Sequence, residues 1–321
     1  AGMTDGVLCV WDLREGSAPH LEVIGTDEGG EWILRSPTFT THSMADAHET
    51  CVTALRPLPE PKDQEISNGP MMPTSTVDRA LSAFQLVSVE EGGTLLIWTV
   101  LDGMKDFENV GLAHWGSVRL VRSMTLDLGT LIPHATDQHD EFDEIKAYDV
   151  HFDSEDGGGS LFIAVDNGTV LHGSSHPDHR PNPRAYKPDT DGTAACRSIA
   201  FCPYGEGYML IGSDDGTIRL HAVTNERPLI TWPGTVDGQP ILDVIWSQSR
   251  PCVFIVLDTT SRIHLWDLGV GDIYPAHSVK FDDQSNVMAI NPELKDPRQK
   301  QLLALGMDDG KVEIHHFKPE Y

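Results

Sequence analysis

The densest group of histidines in the sequence is His172, His176 and His179, with Asp178 beside the last of them. Imidazole and carboxylate groups at short spacing are ligand types of a zinc site. Such a site takes about four ligands in tetrahedral geometry. These histidines are not expected on a helix, and no cysteine lies close by. A polar loop explains them more simply, so the sequence predicts no metal ligand and no cofactor.

Catalytic patterns are the next candidates for chemistry. The run Ser213-Asp214-Asp215-Gly216-Thr217 partly matches the Asp box of sialidases, but the glycine follows Asp215 directly instead of one residue later. No GxSxG, P-loop, HExxH or CxxC pattern occurs. Acidic residues are plentiful, yet most lie in predicted turns and loops. We therefore predict no catalytic residue and a protein that is not an enzyme.

The candidate residues lie on a unit that repeats six times: an apolar strand, a turn rich in Asp, Asn or Gly, and a second alternating strand. The copies cover residues 3–12, 89–98, 162–172, 211–221, 256–267 and 305–315. Asp-Gly and Asn-Gly favour the positive φ angles of tight hairpin turns, and alternation marks strands with one buried face. The later turns recur about every 45–50 residues, which is the period of a propeller blade.

The predicted fold class is all-β, a WD40 β-propeller formed by residues 1–321. Each blade needs an inner strand before its hairpin, and five segments have the required alternation. These are Cys51–Pro57, Ala147–Phe152, Cys196–Pro203, Ile241–Trp246 and Asn286–Pro292. The sequence thus predicts about five complete blades, a partial blade at 1–41, and loop insertions at 58–82 and 131–144. Because residue 1 already lies in a hairpin, we also expect an N-terminally truncated domain.

One position in each repeat, five residues after the turn, is predicted to be a structural mark. It is occupied by Trp11, Trp98, Gly173, His221, Trp266 and His315 in the six copies. A Trp at this position is expected to pack between neighbouring blades. The aspartates that follow two of the tryptophans, Asp12 and Asp267, are expected to end the strand.

Bulk composition limits the partners. The net charge of −26 argues against nucleic acid and against anionic membrane surfaces, since both bind clustered Lys and Arg. Solubility explains this charge, and a basic partner surface is the alternative. No apolar run approaches the ~20 residues of a membrane span. The five cysteines form no CxxC pair, and Cys9 and Cys252 lie in apolar stretches, so buried free thiols in a reducing compartment are expected.

The amino-acid sequences of the repeats resemble those of the WD-repeat intermediate chains of dyneins. The resemblance is carried by GVLCVWDLRE at 6–15, SDDGTIRLH at 213–221, SRPCVF at 249–254 and IHLWDL at 263–268. VRLVRS at 118–123 and EIHHF at 313–317 are most similar to the larger intermediate chain of dynein-2. The resemblance runs from about Gly2 to Phe317, although the acidic insertions fit it poorly.

The resemblance implies a seven-bladed propeller in the full protein and a non-catalytic function in the motor of retrograde intraflagellar transport. The implied partners are the dynein-2 heavy chain, a second WD-repeat intermediate chain, intraflagellar-transport trains and, through a region upstream of the propeller, light chains. The implied location is the cilium or flagellum and the cytoplasm at the ciliary base, in association with the cytoskeleton. No motif transfers the heavy-chain contacts to particular residues here.

Two alternatives stay open. The first is another dynein intermediate chain: the smaller dynein-2 partner, an axonemal chain or a dynein-1 chain, which light-chain-binding segments upstream would distinguish. The second is a propeller outside motors, such as a substrate receptor of a ubiquitin ligase. A helical docking segment on the rim would favour that class, and the sequence shows none.

Overall fold

The computed structural model contains 23 β-strands in the residues that it describes. The described residues are 1–14, 21–25, 31–44, 47–58, 84–102, 111–113, 115–131, 145–152, 159–174, 180–189, 193–232, 237–291 and 300–317. Within them the single helical element is a short 3-10 turn at Leu128–Leu131. The backbone divides into two compact units, which are described separately.

The first unit comprises Ala1–Thr130 with the short segments Phe142–Lys146 and Asp156–Gly158. It contains a four-stranded antiparallel sheet, a two-stranded ribbon and a hairpin. The ribbon pairs β1 (Cys9–Val10) with β4 (Phe39–Thr40), the hairpin pairs β2 (Leu21–Gly25) with β3 (Glu31–Arg35), and the sheet has the order β5 (Val52–Pro57), β6 (Phe84–Glu90), β7 (Thr94–Asp102), β8 (Val118–Asp127).

The second unit comprises Leu131–Glu141, Ala147–Glu155 and Gly159–Tyr321, and it contains four consecutive antiparallel sheets. The first three have four strands each: β9 (Ala147–Phe152), β10 (Ser160–Val165), β11 (Val170–Ser174), β12 (Ala185–Tyr186); β13 (Cys196–Phe201), β14 (Tyr208–Ser213), β15 (Ile218–Ala222), β16 (Ile230–Trp232); and β17 (Ile241–Trp246), β18 (Val253–Asp258), β19 (Arg262–Asp267), β20 (His277–Lys280). The fourth has three strands in the described part of the chain: β21 (Ser285–Ile290), β22 (Leu302–Met307) and β23 (Val312–His316).

In each four- or three-stranded sheet the strands follow chain order, with the first strand at one edge. Within the second unit the first strands of successive sheets, β9, β13, β17 and β21, lie side by side. Meandering sheets stacked through their first strands are the blades of a propeller. The prediction of an all-β WD40 propeller with about five blades is therefore confirmed, and the five predicted inner strands correspond to β5, β9, β13, β17 and β21.

The hairpin turns follow from the local sequence. Gly6, Gly93, Gly168, Gly216 and Gly310 have φ between 79° and 82°. Five of the six predicted turns thus place glycine where an L side chain would be strained. Ser261 takes the same place in the remaining hairpin with φ 61°.

The apolar core lies between neighbouring sheets. The strands β10, β18 and the middle of β14 are buried on both faces, which explains their nearly continuous apolar sequence. One cluster joins Leu210 and Trp232 of one sheet to Val244, Phe254 and Trp266 of the next. Burying apolar surface contributes a stabilising free energy of about 25 cal/mol per Å². These contacts are therefore the main stabilising term.

Two expectations from the sequence have different outcomes. Cys252 was expected to be buried but is exposed, because it lies in the turn before β18 with φ 61°; all five thiols are free. Of the predicted insertions, residues 59–82 and 132–144 lie outside the described residues.

Candidate functional site

Trp266 of β19 lies in the interface between two sheets of the second unit. Its ring is fully buried and stacks on Phe254 at 5.7 Å between centroids with an interplanar angle of 5°. Trp232 of the preceding sheet lies 5.7 Å away on the other side of the contact. The indole N–H of Trp266 has no hydrogen-bond partner among the described residues. Trp266 therefore acts by filling space between sheets.

His221 occupies the same position in the preceding sheet and is also fully buried. The ring of Tyr186 from β12 meets it edge-on, at 5.7 Å between centroids. Burial, and next the positive charge of Arg219, lower the pKa of His221 to about 4. The imidazole is thus neutral at physiological pH and behaves as a small aromatic ring.

Gly173 departs from the aromatic pattern for a steric reason. A Cβ atom at Gly173 would lie 2.9 Å from a methyl carbon of Leu131 and 3.1 Å from one of Leu161. A larger side chain at this position would therefore require these two leucine side chains to shift.

Trp98 of β7, in the first unit, is anchored by a polar network that the sequence did not reveal. Its indole N–H donates to Ser88 Oγ at 2.7 Å, and Ser88 Oγ lies 2.6 Å from His48 Nε2. The other ring nitrogen of His48, Nδ1, lies 3.5 Å from Glu90 Oε2. If Ser88 donates its proton to Nε2, the imidazole proton is on Nδ1, facing the carboxylate.

Glu90 connects this network to the chain before β5. Its Oε2 atom accepts hydrogen bonds from the backbone N–H of Glu49 at 2.8 Å and of Thr50 at 2.9 Å. Burial raises the pKa of Glu90, but hydrogen bonds from Thr94, Thr50 and Glu49 outweigh it and the net pKa is lowered. Burial lowers the pKa of His48 against the attraction of Glu90. The pair holds a loop against the sheet.

The remaining marks are less enclosed. Trp11 is half-buried and donates to the backbone oxygen of Arg35 at 2.8 Å. The neighbouring Asp12 binds Arg14, and that hydrogen bond lowers the pKa of Asp12. Asp267 pairs with Arg250 at 3.0 Å.

His315 is also half-buried, and the ring of Phe281 meets it edge-on at 5.1 Å between centroids. The burial of the six marks therefore differs, although their place in the repeat is the same.

A second polar network stabilises the hairpin of β18 and β19. The sequence analysis did not predict it. Asp258 Oδ2 lies 3.1 Å from His264 Nε2, and His264 Nδ1 lies 2.8 Å from Ser278 Oγ on β20. Asp258 Oδ1 accepts from the backbone of Thr260 and Arg262. Burial raises the pKa of Asp258, and hydrogen bonds led by His264 and Thr260 outweigh it. The signal in the sequence was the Asp at the turn, six residues before a His.

The histidine cluster and the run that partly matches an Asp box, neither of which was predicted to be a site, make structural contacts where the structure describes them. His172 is buried against Phe162, and its Nδ1 lies 2.8 Å from the backbone oxygen of Pro183. His176, Asp178 and His179 lie outside the described residues. Asp214 forms a two-point ion pair with Arg197, at 2.6 and 2.7 Å. Among the described residues no group of three metal-binding side chains converges.

An open hollow of about 370 Å³ in the first unit is lined almost wholly by apolar side chains, including Leu55, Leu86 and Leu120. Its one thiol, Cys9, has a pKa raised by burial. In the described part of the chain, no helix has the length and apolar character needed to span a membrane.

These geometries define a WD-repeat propeller whose buried polar groups hold strands and loops within individual sheets. No protein-family model matches the chain. Over 99% of its length it is 30% identical to human "Cytoplasmic dynein 2 intermediate chain 1" and 31% identical to the mouse protein of that name, covering 30% and 32% of those relatives. A Drosophila melanogaster "Cytoplasmic dynein 1 intermediate chain" is 31% identical over 71 residues, 22% of this chain and 10% of that relative.

Over nearly its whole length, the chain is therefore similar to intermediate chains of the dynein-2 type. It spans about a third of the length of the dynein-2 relatives that it matches. The resemblance to dynein-2 intermediate chains that the repeats indicated is confirmed by these two relatives.

Proposed function

We propose that this chain is a non-catalytic propeller portion of a dynein-2 intermediate chain. The observation that carries the proposal is the 30–31% identity to two dynein-2 intermediate chains over 99% of the chain. The described polar clusters support it, because Trp98, Glu90, Asp258 and His264 are all engaged in holding strands and loops. The proposed function is assembly, and ATP hydrolysis belongs to the heavy chain.

The proposed partners are the dynein-2 heavy chain, which the propeller holds, and a second WD-repeat intermediate chain. Light chains would bind through a region upstream of the propeller, and the assembled motor would carry intraflagellar-transport trains in the retrograde direction. The proposed location is accordingly the cilium or flagellum and the ciliary base. The net charge of −26 supports a protein partner over nucleic acid or an anionic membrane.

Affinity purification of the full-length parent protein from ciliated cells, with mass spectrometry of its partners, tests this function. Recovery of a dynein-2 heavy chain together with a second intermediate chain supports it. The short match to a dynein-1 intermediate chain makes dynein-1 the second candidate. A dynein-1 or axonemal heavy chain would keep the family and change the type of motor. A cullin adaptor without any heavy chain would contradict the proposal.

A further inference from the structure

Ser278 of β20 is an exposed serine whose hydroxyl contacts a buried histidine–aspartate pair. Its Oγ atom lies 2.8 Å from Nδ1 of His264, and Nε2 of His264 lies 3.1 Å from Oδ2 of the fully buried Asp258. Because an ionised carboxylate only accepts hydrogen bonds, Nε2 carries the proton that faces Asp258. In the neutral imidazole Nδ1 is then an acceptor, and the Ser278 hydroxyl donates to it.

The same place in the other four-stranded sheets lacks this contact. It lies two residues before each structural mark, and it is occupied by Leu96 in β7, Leu171 in β11 and Arg219 in β15, opposite Thr125, Ala185 and Thr231. The hydroxyl of Thr231 has no hydrogen-bond partner among the described residues. The contact of serine, histidine and aspartate is thus a property of β19 and β20, and the blade itself does not require it.

Two further basic side chains share a face of the sheet with Ser278. Arg262 and Lys280 are direct partners across β19 and β20, two residues along from the pair of His264 and Ser278. Residues two apart on a strand lie on the same face, and diagonal neighbours are about 7–8 Å apart, within reach of long side chains. Ser278 therefore has three basic residues around it, in a chain whose net charge is −26.

Arg262 already has an acidic partner, which a stronger ligand could displace. It pairs with Asp237 at 2.7 Å, and the side chain of Asp237 is 75% exposed. Ion pairs at the surface contribute little to stability, so the guanidinium can turn to another anion at small cost.

The strand that carries Ser278 lies at the edge of its sheet. β20 is last in the strand order, and all four of its residues are exposed. Segments with few buried apolar contacts open locally at a small free energy. A modifying enzyme can therefore bind the opened segment without unfolding the sheet.

We propose that Ser278 is a phosphorylation site and that His264, Arg262 and Lys280 hold its phosphate. A protein kinase supplies the phosphoryl group from ATP. The bond between the γ-phosphorus and its bridging oxygen breaks, ADP leaves with the electron pair, and the phosphorus bonds to Ser278 Oγ. The hydroxyl proton is finally held by His264 Nδ1, which then donates to a phosphate oxygen while Nε2 still donates to Asp258.

The modification replaces a neutral hydrogen bond with contacts between charged groups. A phosphoserine carries a charge of about −1.5 to −2 at pH 7 and three acceptor oxygens. Hydrogen bonds between ions are roughly twice as strong as neutral ones. Asp258 balances the charge of the imidazolium from its other side. Phosphorylation should therefore fasten β20 to β19 and slow the opening of the edge.

Hydrogen exchange of the full-length parent protein, with phosphoserine genetically encoded at position 278, tests the ligands of the phosphate. The amides of residues 277–280 should exchange at least about tenfold more slowly than in the unmodified protein. In a His264→Phe background, or with Arg262→Gln and Lys280→Gln, phosphoserine should give less protection, each background being compared with its own unmodified form. Protection that none of these variants reduces would overturn the assigned ligands.

Ser123 of β8 provides a matched control. It is exposed on the last strand of its sheet, and its Oγ lies 2.6 Å from Thr99 Oγ instead of from a histidine. Arg122 precedes it, so the control tests the histidine rather than nearby positive charge. Phosphoserine at position 123 should not slow exchange in β8 to this extent. Equal protection at both sites would overturn the assignment of His264 as a ligand.

Mass spectrometry of the parent protein, purified from ciliated cells with phosphatase inhibitors, tests whether the site is used. Phosphate on Ser278 that phosphatase treatment removes supports the proposal. Recovery of the Ser278 peptide in unmodified form alone, or with a different group on its oxygen, would overturn it. Neither result depends on a heavy chain, so this inference can fail while the proposed function stands.

Discussion

At the scale of single residues, equivalent positions in the repeat are stabilised in different ways. Trp98 and Trp266 occupy the same place after their turns and are both fully buried. Trp98 donates to Ser88, whereas Trp266 has no hydrogen-bond partner among the described residues. The same residue type is therefore held by a polar network in one sheet and by apolar packing in the other.

Trp266→Ala should destabilise the protein by about 3–5 kcal/mol, since it removes a ring packed between two sheets and leaves a cavity. Denaturant unfolding measures the change. An unaltered midpoint would mean that the ring contributes nothing to the interface.

Trp→Phe substitutions at the two positions remove similar volumes but different polar contacts. Trp98→Phe should cost about 1–3 kcal/mol more than Trp266→Phe, because it leaves the buried Ser88 Oγ without the indole N–H that donates to it. Equal losses for the two variants would contradict a stabilising function of the indole N–H of Trp98. Each variant is the other's control, measured in the same unfolding assay.

His221 predicts a pH dependence of stability. Its folded pKa is about 4, below the ~6.5 of an unfolded histidine, so the unfolded chain binds the proton first as pH falls. The contribution of His221 is complete above about pH 6.5 and is lost as pH falls towards 4, with a slope of at most about 1.4 kcal/mol per pH unit.

His221→Phe keeps an aromatic ring and removes the titration. Between pH 4.5 and 6.5 its stability should fall less steeply than that of wild type. Unfolding curves at several pH values test this, and the other titrating groups cancel in the comparison. Superimposable slopes would show that His221 is protonated equally in both states.

At the scale of elements, the turns were predictable because their signal is local. Gly216 and Gly310 both have positive φ, 79° and 82°, in equivalent hairpins. A Cβ at Gly216 would lie 2.9 Å from the backbone oxygen of Gln239, whereas nothing lies within 4 Å of one at Gly310.

Gly310→Ala should therefore cost only the backbone strain, about 1–2 kcal/mol, and Gly216→Ala distinctly more. Thermal unfolding of the two variants measures the difference. A Gly216→Ala protein as stable as Gly310→Ala would contradict the close approach of the backbone at Gln239.

Contacts between distant segments account for what the sequence could not predict. Inner strands such as Ala147–Phe152 were recognised from alternation over six residues. The contact of His48 with Ser88 joins positions 40 residues apart, and no local pattern specifies such a partner. Tyr274 and Cys252 lie in apolar sequence, yet both are exposed, because exposure depends on which sheet faces each segment.

At the scale of the whole molecule, the function is inferred from the sequences of the repeats and from relatives, not from a reactive site. The fold defines a class with many functions, and function must be argued beyond it. The run VWDLRE at 10–15 and the identity over 99% of the chain together support a dynein intermediate chain.

The proposal that this propeller holds a dynein-2 heavy chain is tested most directly by reconstitution. The purified full-length parent protein would be mixed with purified dynein-2 heavy chain and, in parallel, dynein-1 heavy chain, and the complexes analysed by mass photometry. We expect a defined complex with the dynein-2 chain that survives dilution, and none with the dynein-1 chain. A complex with dynein-1 alone, or with neither heavy chain, would contradict it.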